Sequence, residues 1–433
     1  MLLPPLPSGW PATFELGMAD GLGDAAGIRA TAPFALRSQY LAGGVNTGTG
    51  WTTWAPHGDY VTQYARESFD HGITPVFDYY MLLHSSPSTG ADEGERDYAN
   101  LNNASTMSAY FADLKMFFER AGAFAPRQVI LHFEPDLWGF MQQRALLDNA
   151  ARVPAQVAAT QVEGLEIFPN SAAGLAQALI ALRDRYAPNV LVAYHLSTWG
   201  TGLDIIHTDP DDSRLDLLAK SASAFYKSLQ ANFDIVFADS TDRDAAFKEY
   251  QYGDSAAWWT DDDYTRDVRF LAGFASSVGK RIVLWQMPLG NTKMRAQNNA
   301  WGHYQDNHVE WLLDDPARTH LMDYVNAGVI AAIFGGGGAG TTCACDAAHD
   351  GVTNPMPVNG NTALSLTADD DGGFFRARAA TYYAVGRLVV PDASKTLVAG
   401  PPAAADCVVS ADGTARLCPR LRHGKKRRRS HLS

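Results

Sequence analysis

An α/β fold, a single (β/α)8 TIM barrel with long loops after its strands, follows from three features of this 433-residue chain. Eight short apolar runs recur with room for a helix between them, and eight parallel strands close a barrel. Stretches with a helical hydrophobic period lie between most of these runs, so strand, loop and helix alternate as in right-handed βαβ units. Each run also ends in polar, glycine or aromatic residues, as a parallel strand does when its carboxyl end opens on a site.

In chain order the strands are expected at Thr13 to Met18, Leu36 to Ala42, Thr74 to Met81, Val129 to Glu134, Val190 to His195, Ile235 to Asp239, Arg281 to Met287 and Ile330 to Phe334. Helical spacing marks Tyr60 to His71, Thr106 to Ala121, Ala173 to Tyr186, Ser213 to Leu229, Tyr264 to Val278, Ala317 to Asn326 and Arg376 to Val389. Ser105 is placed to cap the second of these, and Gly72, Gly122 and Gly279 stand where helix C-caps belong. No clear helix separates Asp20 from Leu36. The loops after the third, fourth, fifth, seventh and eighth strands are long, which marks that end as the functional rim. The barrel is bounded at 13–392, with an N-terminal extension over 1–12 and a C-terminal extension over 393–433. That last segment carries Lys425-Lys426-Arg427-Arg428-Arg429, a run that reads as a solvated, disordered tail.

Hydrophobic residues at 46% and charged residues at 19% suit a globular chain with a sizeable core, and no apolar run approaches a membrane span. A net charge of -12 argues against a duplex nucleic-acid partner, which needs a basic face. Four cysteines are too few for a disulfide scaffold; Cys343-Ala344-Cys345 is too tight for a zinc pair, while Cys407 and Cys418 could bridge a short loop. The first residues lack the basic and apolar regions of a signal peptide, so localisation stays open, with a secreted or periplasmic place favoured. Asp369-Asp370-Asp371 lacks the spacing of a calcium loop and reads as a solvated turn. Neither cofactor nor metal is expected, no membrane is engaged, and the chain reads as a monomer.

The expected strand ends bring together Asp20, Asp78 with Tyr79 and Tyr80, Glu134 with Asp136 and Trp138, His195 with Trp199, Asp239 with Asp242, Trp285 with Gln286, and Asn291. Carboxylates interleaved with aromatic rings suit a carbohydrate: rings stack on the apolar faces of sugars, and carboxylates and amides take the hydroxyls. Gly335 to Gly338 lacks the Lys-Ser/Thr of a phosphate-cradling loop. Glu134 stands out because Pro135, which cannot donate to a sheet ladder, stops the fourth strand just beyond it. The plainer reading is a structural carboxylate paired with an arginine at the rim.

On Glu134-Pro135 the chain resembles the clan A (β/α)8 glycoside hydrolases, whose fourth strand ends in Asn-Glu-Pro with that Glu as general acid/base; Phe133 stands where the family has Asn. The resemblance further implies a nucleophilic Glu at the end of the seventh strand, where this chain has Gln286. An amide cannot form a glycosyl ester, so the two-Glu retaining mechanism does not carry over. Three arrangements remain: Glu134 as general acid of an inverting enzyme with Asp239, then Asp78 or Asp136, as base; Gln286 positioning a substrate group; or a barrel that only binds.

The expected function is therefore hydrolysis of O-glycosidic bonds in a poly- or oligosaccharide. Glu134, Asp239 and Asp78 are its catalytic candidates, and Asp136, Trp138, Tyr80, His195, Trp199, Trp285, Gln286 and Asn291 are expected to bind substrate. Asp239 and Asp242 have a plainer reading as helix N-caps. His132, expected one layer below Glu134 on the same strand face, could join His195 and Asp239 on a metal, but a packed core histidine is the simpler reading. A non-catalytic carbohydrate-binding barrel and a metal-dependent hydrolase are the alternatives. The amide- and aromatic-rich segment Gln297 to His308 reads as a sugar-binding wall or as a self-bonded loop.

Overall fold

A computed structural model describes residues 3–240, 245–292, 306–335, 374–391, 408–409 and 416–417. Asp242, the four cysteines, Asp369 to Asp371, Gly336 to Gly338, Gln297 to Gln305 and the basic run lie outside these residues.

Eight strands form a closed, all-parallel barrel in chain order, β8 pairing back onto β1. They are β1 (Glu15–Ala19), β2 (Leu36–Leu41), β3 (Thr74–Tyr79), β4 (Val129–Phe133), β5 (Val190–Ser197), β6 (Ile235–Asp239), β7 (Ile282–Met287) and β8 (Val329–Phe334). Each coincides with an expected strand. The helices are α1 (Ala25–Thr31), α2 (Tyr60–Asp70), α3 (Glu93–Leu101), α4 (Ala104–Gly122), α5 (Leu137–Arg144), α6 (Ala172–Tyr186), α7 (Asp212–Ser228), α8 (Ala245–Tyr252), α9 (Asp261–Val278), α10 (His308–Leu313), α11 (Thr319–Asn326) and α12 (Phe374–Val385). None of the described helices is long and apolar enough to cross a membrane. Residues 408–409 and 416–417, in a second compact unit that begins at Ser394, pair as two short antiparallel strands.

Helix boundaries follow local chemistry. Asn103, not Ser105, caps α4, because its side chain accepts the Thr106 N–H at 3.0 Å and leaves Ser105 inside the first turn. Thr260 opens α9 three residues early through a reciprocal capping box with Asp263. α1, which the sequence did not suggest, owes its start to a distant group: the Glu67 carboxylate of α2 accepts the Gly23 and Ala25 N–H groups, each at 3.0 Å. Gly279 closes α9 with φ of 70°, as a C-cap glycine should. Gly122 does not; it ends α4 where a Cβ would stand 2.2 Å from the Tyr186 carbonyl oxygen, so its missing side chain admits the chain that leads to β5. Gly122→Ala is expected to destabilise the protein by about 1–3 kcal/mol, the usual cost of overpacking, read as a lower urea midpoint with unchanged slope.

The layer between strands and helices is aromatic. Tyr79, Phe133, Trp138 and Tyr194 leave the strand ends and α5 to pack against Tyr110, Tyr226 and Phe274 from the helices, with ring centroids 5.0–6.3 Å apart. Burying each such side chain contributes about 1.5–3 kcal/mol. At the amino ends of the strands Trp10 is buried, and Gln128, just before β4, donates to the Ser8 carbonyl.

Candidate active site

The carboxyl ends of β3 to β7 hold a layer of polar and aromatic groups. His132 packs on Phe237 of β6 and Trp285 of β7, with centroids 4.6 Å away in both cases, contacts that β4 can make only across the barrel interior. Its neighbour Phe133 meets Tyr110 of α4 and so faces outward.

Glu134 departs from this alternation. β4 ends at Phe133, and Glu134 takes a left-handed backbone with φ of 46° that swings its side chain off the face it would share with His132. Its Oε1 accepts hydrogen bonds from the Met81 and Leu82 N–H groups at 3.2 and 3.1 Å and from the Tyr110 hydroxyl at 2.5 Å. The expected place of Glu134, directly above His132, is therefore replaced by a position under the loop after β3. The side chain is 1% exposed, and burial pushes its carboxyl up to about 8 despite those three donors. With Oε1 taken up as an acceptor, Oε2 is left to carry the proton.

Inside the barrel a chain of hydrogen bonds runs across three strands. Asp78 Oδ1 lies 2.9 Å from His132 Nδ1, and His132 Nε2 lies 2.9 Å from His195 Nδ1. All three residues are buried. Burial pushes Asp78 up to about 7, against the hydrogen bonds it receives from Ser38 and Trp285. The network allows two arrangements: with Asp78 ionised, both imidazoles donate toward it and His195 Nε2 keeps a lone pair; with Asp78 protonated, the donors reverse and His195 Nε2 carries hydrogen. That nitrogen makes no hydrogen bond and lies 3.5 Å from Asp136 Oδ1. Asp239 completes the group, since Asp136, His195 and Asp239 each present one atom within 4.8 Å of the other two.

Several expected roles change. Asp78 is buried and bonded to His132, so it is held by the histidine pair rather than standing free at the rim. His132 spends both nitrogens on its neighbours, so the expected His132, His195 and Asp239 set loses His132 and gains Asp136. Trp138 is fully buried against Tyr194 and Phe233, because α5 begins at Leu137 and turns the ring into the core; it cannot stack on a sugar. Trp285 is 2% exposed and helps to hold Asp78. Trp199 keeps a partly exposed face beside Phe140, at a centroid distance of 4.8 Å. Tyr80, also partly exposed, donates to Glu93 Oε1 at 2.5 Å. Gln286, at φ of 54°, donates its amide to the Tyr40 hydroxyl, and Asn291 is buried. Asp20 is tied to Arg37 at 2.9 Å.

Sequence reasoning missed Glu93 and Asp97. They lie one helical turn apart on α3, a spacing that puts both carboxyls on one face, and that i, i+4 pair after a long loop was the available signal. Asp97 is 2% exposed; burial, followed by the charges of Glu134, Glu93 and Asp136, raises its carboxyl well above the usual range. Four carboxyl groups, two from the turn after β4 and two from α3, thus lie within electrostatic reach of one another.

Beneath them, Asp113 Oδ1 accepts from the Tyr79 hydroxyl at 2.6 Å and from Trp51 Nε1 at 2.8 Å, yet burial pushes it from 3.8 up to about 6. A raised carboxyl stabilises the fold fully below its unfolded value, and that stability is lost as pH rises through the folded value. Stability should therefore fall by about 3 kcal/mol from this group between pH 3 and pH 7, on the scale of 1.36 kcal/mol per unit. Asp113→Asn keeps both acceptor bonds and should flatten that part of the pH dependence, read by urea unfolding at both pH values.

No known family matches the chain, and no curated protein does. Among solved structures it is similar to a modular endo-β-1,4-mannanase from Cellulomonas fimi, with 12% identity over 92% of this chain and 76% of that one and a TM-score of 0.48. A β-glucosidase from Thermotoga maritima shares 9% identity over 76% of this chain and 89% of its own, with a TM-score of 0.43. A putative lyase/mutase from Burkholderia cenocepacia also overlaps, with 12% identity over 76% and 78% of the two chains and a TM-score of 0.31. Likenesses this distant assign no activity.

Proposed function

We propose that this barrel is a glycoside hydrolase that cleaves O-glycosidic bonds in a poly- or oligosaccharide, with Glu134 as general acid. The observation that carries the reading is the mixed lining of one barrel mouth. Carboxyl groups at Glu93, Asp97, Glu134, Asp136 and Asp239 stand with the partly exposed rings of Tyr80 and Trp199 at the strand ends, where barrel enzymes do their chemistry. The carboxyls of that mouth differ in exposure. Glu134 is sealed, while the Asp136 side chain is 31% exposed and Asp239 is partly exposed. A shielded acid beside more exposed carboxylates suits proton donation by the first and activation of water by one of the others. Asp239, grouped with Asp136 and His195, is the base toward water in this reading.

A specific observation favours a second reading, the barrel that only binds sugar: the end of β7 offers the amide of Gln286, held by Tyr40, in place of a carboxylate. Release of reducing ends from a panel of β-linked and α-linked polysaccharides by the purified chain separates the two. Cleavage of any member establishes the hydrolase, whereas retention of a polysaccharide on affinity gels without cleavage establishes the binding barrel.

A further inference from the structure

We propose that Asp136, His195 and Asp239 form a binding site for a divalent transition-metal cation, Mn2+ or Zn2+, at the carboxyl ends of β4, β5 and β6. The assignment stands on the side chains alone and goes beyond the hydrolase reading.

Three observations converge. The first is distance. Two ligand atoms about 2.1 Å from one cation, at angles near 90–109°, lie about 3.0–3.4 Å apart. His195 Nε2 and Asp136 Oδ1 are already 3.5 Å apart, and one atom from each of the three residues lies within 4.8 Å of the other two, close to the separations a shared cation needs. The second is His195 itself. Its side chain is fully buried, its Nδ1 is engaged by His132, and its Nε2 makes no hydrogen bond while lying beside Asp136. A buried imidazole nitrogen without a hydrogen bond is costly unless something accepts its lone pair.

The third is what stands behind it. Metal-bound histidines hand their other ring N–H to a carboxylate or carbonyl that fixes the tautomer. Here His195 Nδ1 meets His132 Nε2, whose Nδ1 meets Asp78, so the anchoring carboxylate acts through one additional imidazole. The tautomer in which both imidazoles donate toward Asp78 presents the His195 Nε2 lone pair beside Asp136, 3.5 Å away. Two carboxylates balance the charge of a divalent ion. One imidazole with two carboxylates suits a borderline or moderately hard cation. Three protein ligands leave positions open; if the hydrolase reading holds, those positions take a water or two hydroxyls of a sugar. Glu134 lies outside this group, its Oε1 held by the Met81 and Leu82 N–H groups and the Tyr110 hydroxyl.

The test is Mn2+ binding followed by the paramagnetic resonance of free Mn2+, on full-length protein stripped with EDTA, with Zn2+ as competitor. One Mn2+ per chain is expected, displaced by Zn2+, lost in Asp136→Ala and Asp239→Ala, and weakened about 10–100-fold in Asp78→Asn. Circular dichroism of each variant confirms its fold. Absence of binding to the native chain, or binding undiminished in both alanine variants, overturns the site. Unchanged affinity in Asp78→Asn overturns the part given to Asp78 and His132. Hydrolysis assayed on the same preparations is decided separately: Mn2+ binding without cleavage of any polysaccharide removes the hydrolase reading and leaves the cation site standing.

Discussion

Glu134→Gln should lower hydrolysis by about 10²–10⁴-fold, the usual worth of a positioned proton donor, while leaving folding nearly unchanged. The amide oxygen can still accept from the Met81 and Leu82 N–H groups and from Tyr110, so the loop after β3 keeps its anchor. What disappears is the proton on Oε2. Glu134→Ala is expected to behave differently: it removes the acceptor as well, leaves two buried N–H groups and a tyrosine hydroxyl unpaired, and costs about 1–3 kcal/mol for each group left unsatisfied. Activity with a soluble oligosaccharide, measured beside urea unfolding for both variants, checks the pair. If the glutamine variant keeps wild-type turnover and only the alanine variant fails, Glu134 is an anchor, and the proton donor must be sought at Asp97.

Arg37→Ala should cost about 3–5 kcal/mol of folding stability, because it strands buried charge. Arg37 is completely buried on β2. It bonds Asp20 Oδ1 at 2.9 Å and the Gly21 carbonyl at 2.6 Å, pairs with Glu67 at 3.2 Å, and lies 4.0 Å over the Tyr64 ring. It thus joins the end of β1, the start of α1 and the middle of α2. Burial already holds Asp20 up at about 6 with the arginine present, so without it Asp20 should take a proton more readily still. The loss should be larger at pH 7.5 than at pH 5, read from urea midpoints at both values. Equal losses at the two pH values would mean that packing over Tyr64, rather than charge, is what Arg37 supplies.

The barrel was legible because its signal is repetitive and local. Thr74 to Tyr79, Val129 to Phe133 and Ile282 to Met287 are buried almost throughout and mostly apolar, as a strand covered by the barrel interior on one side and by helices on the other must be. Pro135 ended β4 where its missing N–H required. α1 escaped notice because seven residues with little periodicity gain their order from Glu67, more than forty positions away. Gly122 was misplaced for the same kind of reason, its constraint being the carbonyl of Tyr186 rather than its own turn.

By itself the sequence determined the eight strands and their order, since period-2 and period-3.6 patterns and chain-stopping residues act over a few positions. Only the tertiary structure decided which way each side chain points. A φ of 46° moved Glu134 under the β3 loop, α5 turned Trp138 into the core, His132 and Trp285 sank around Asp78, and Asp136, a turn residue by its sequence, came to stand beside His195 and Asp239. Those outcomes depend on rotations at strand ends and on neighbours from other βαβ units, and neither is encoded in spacing along one segment.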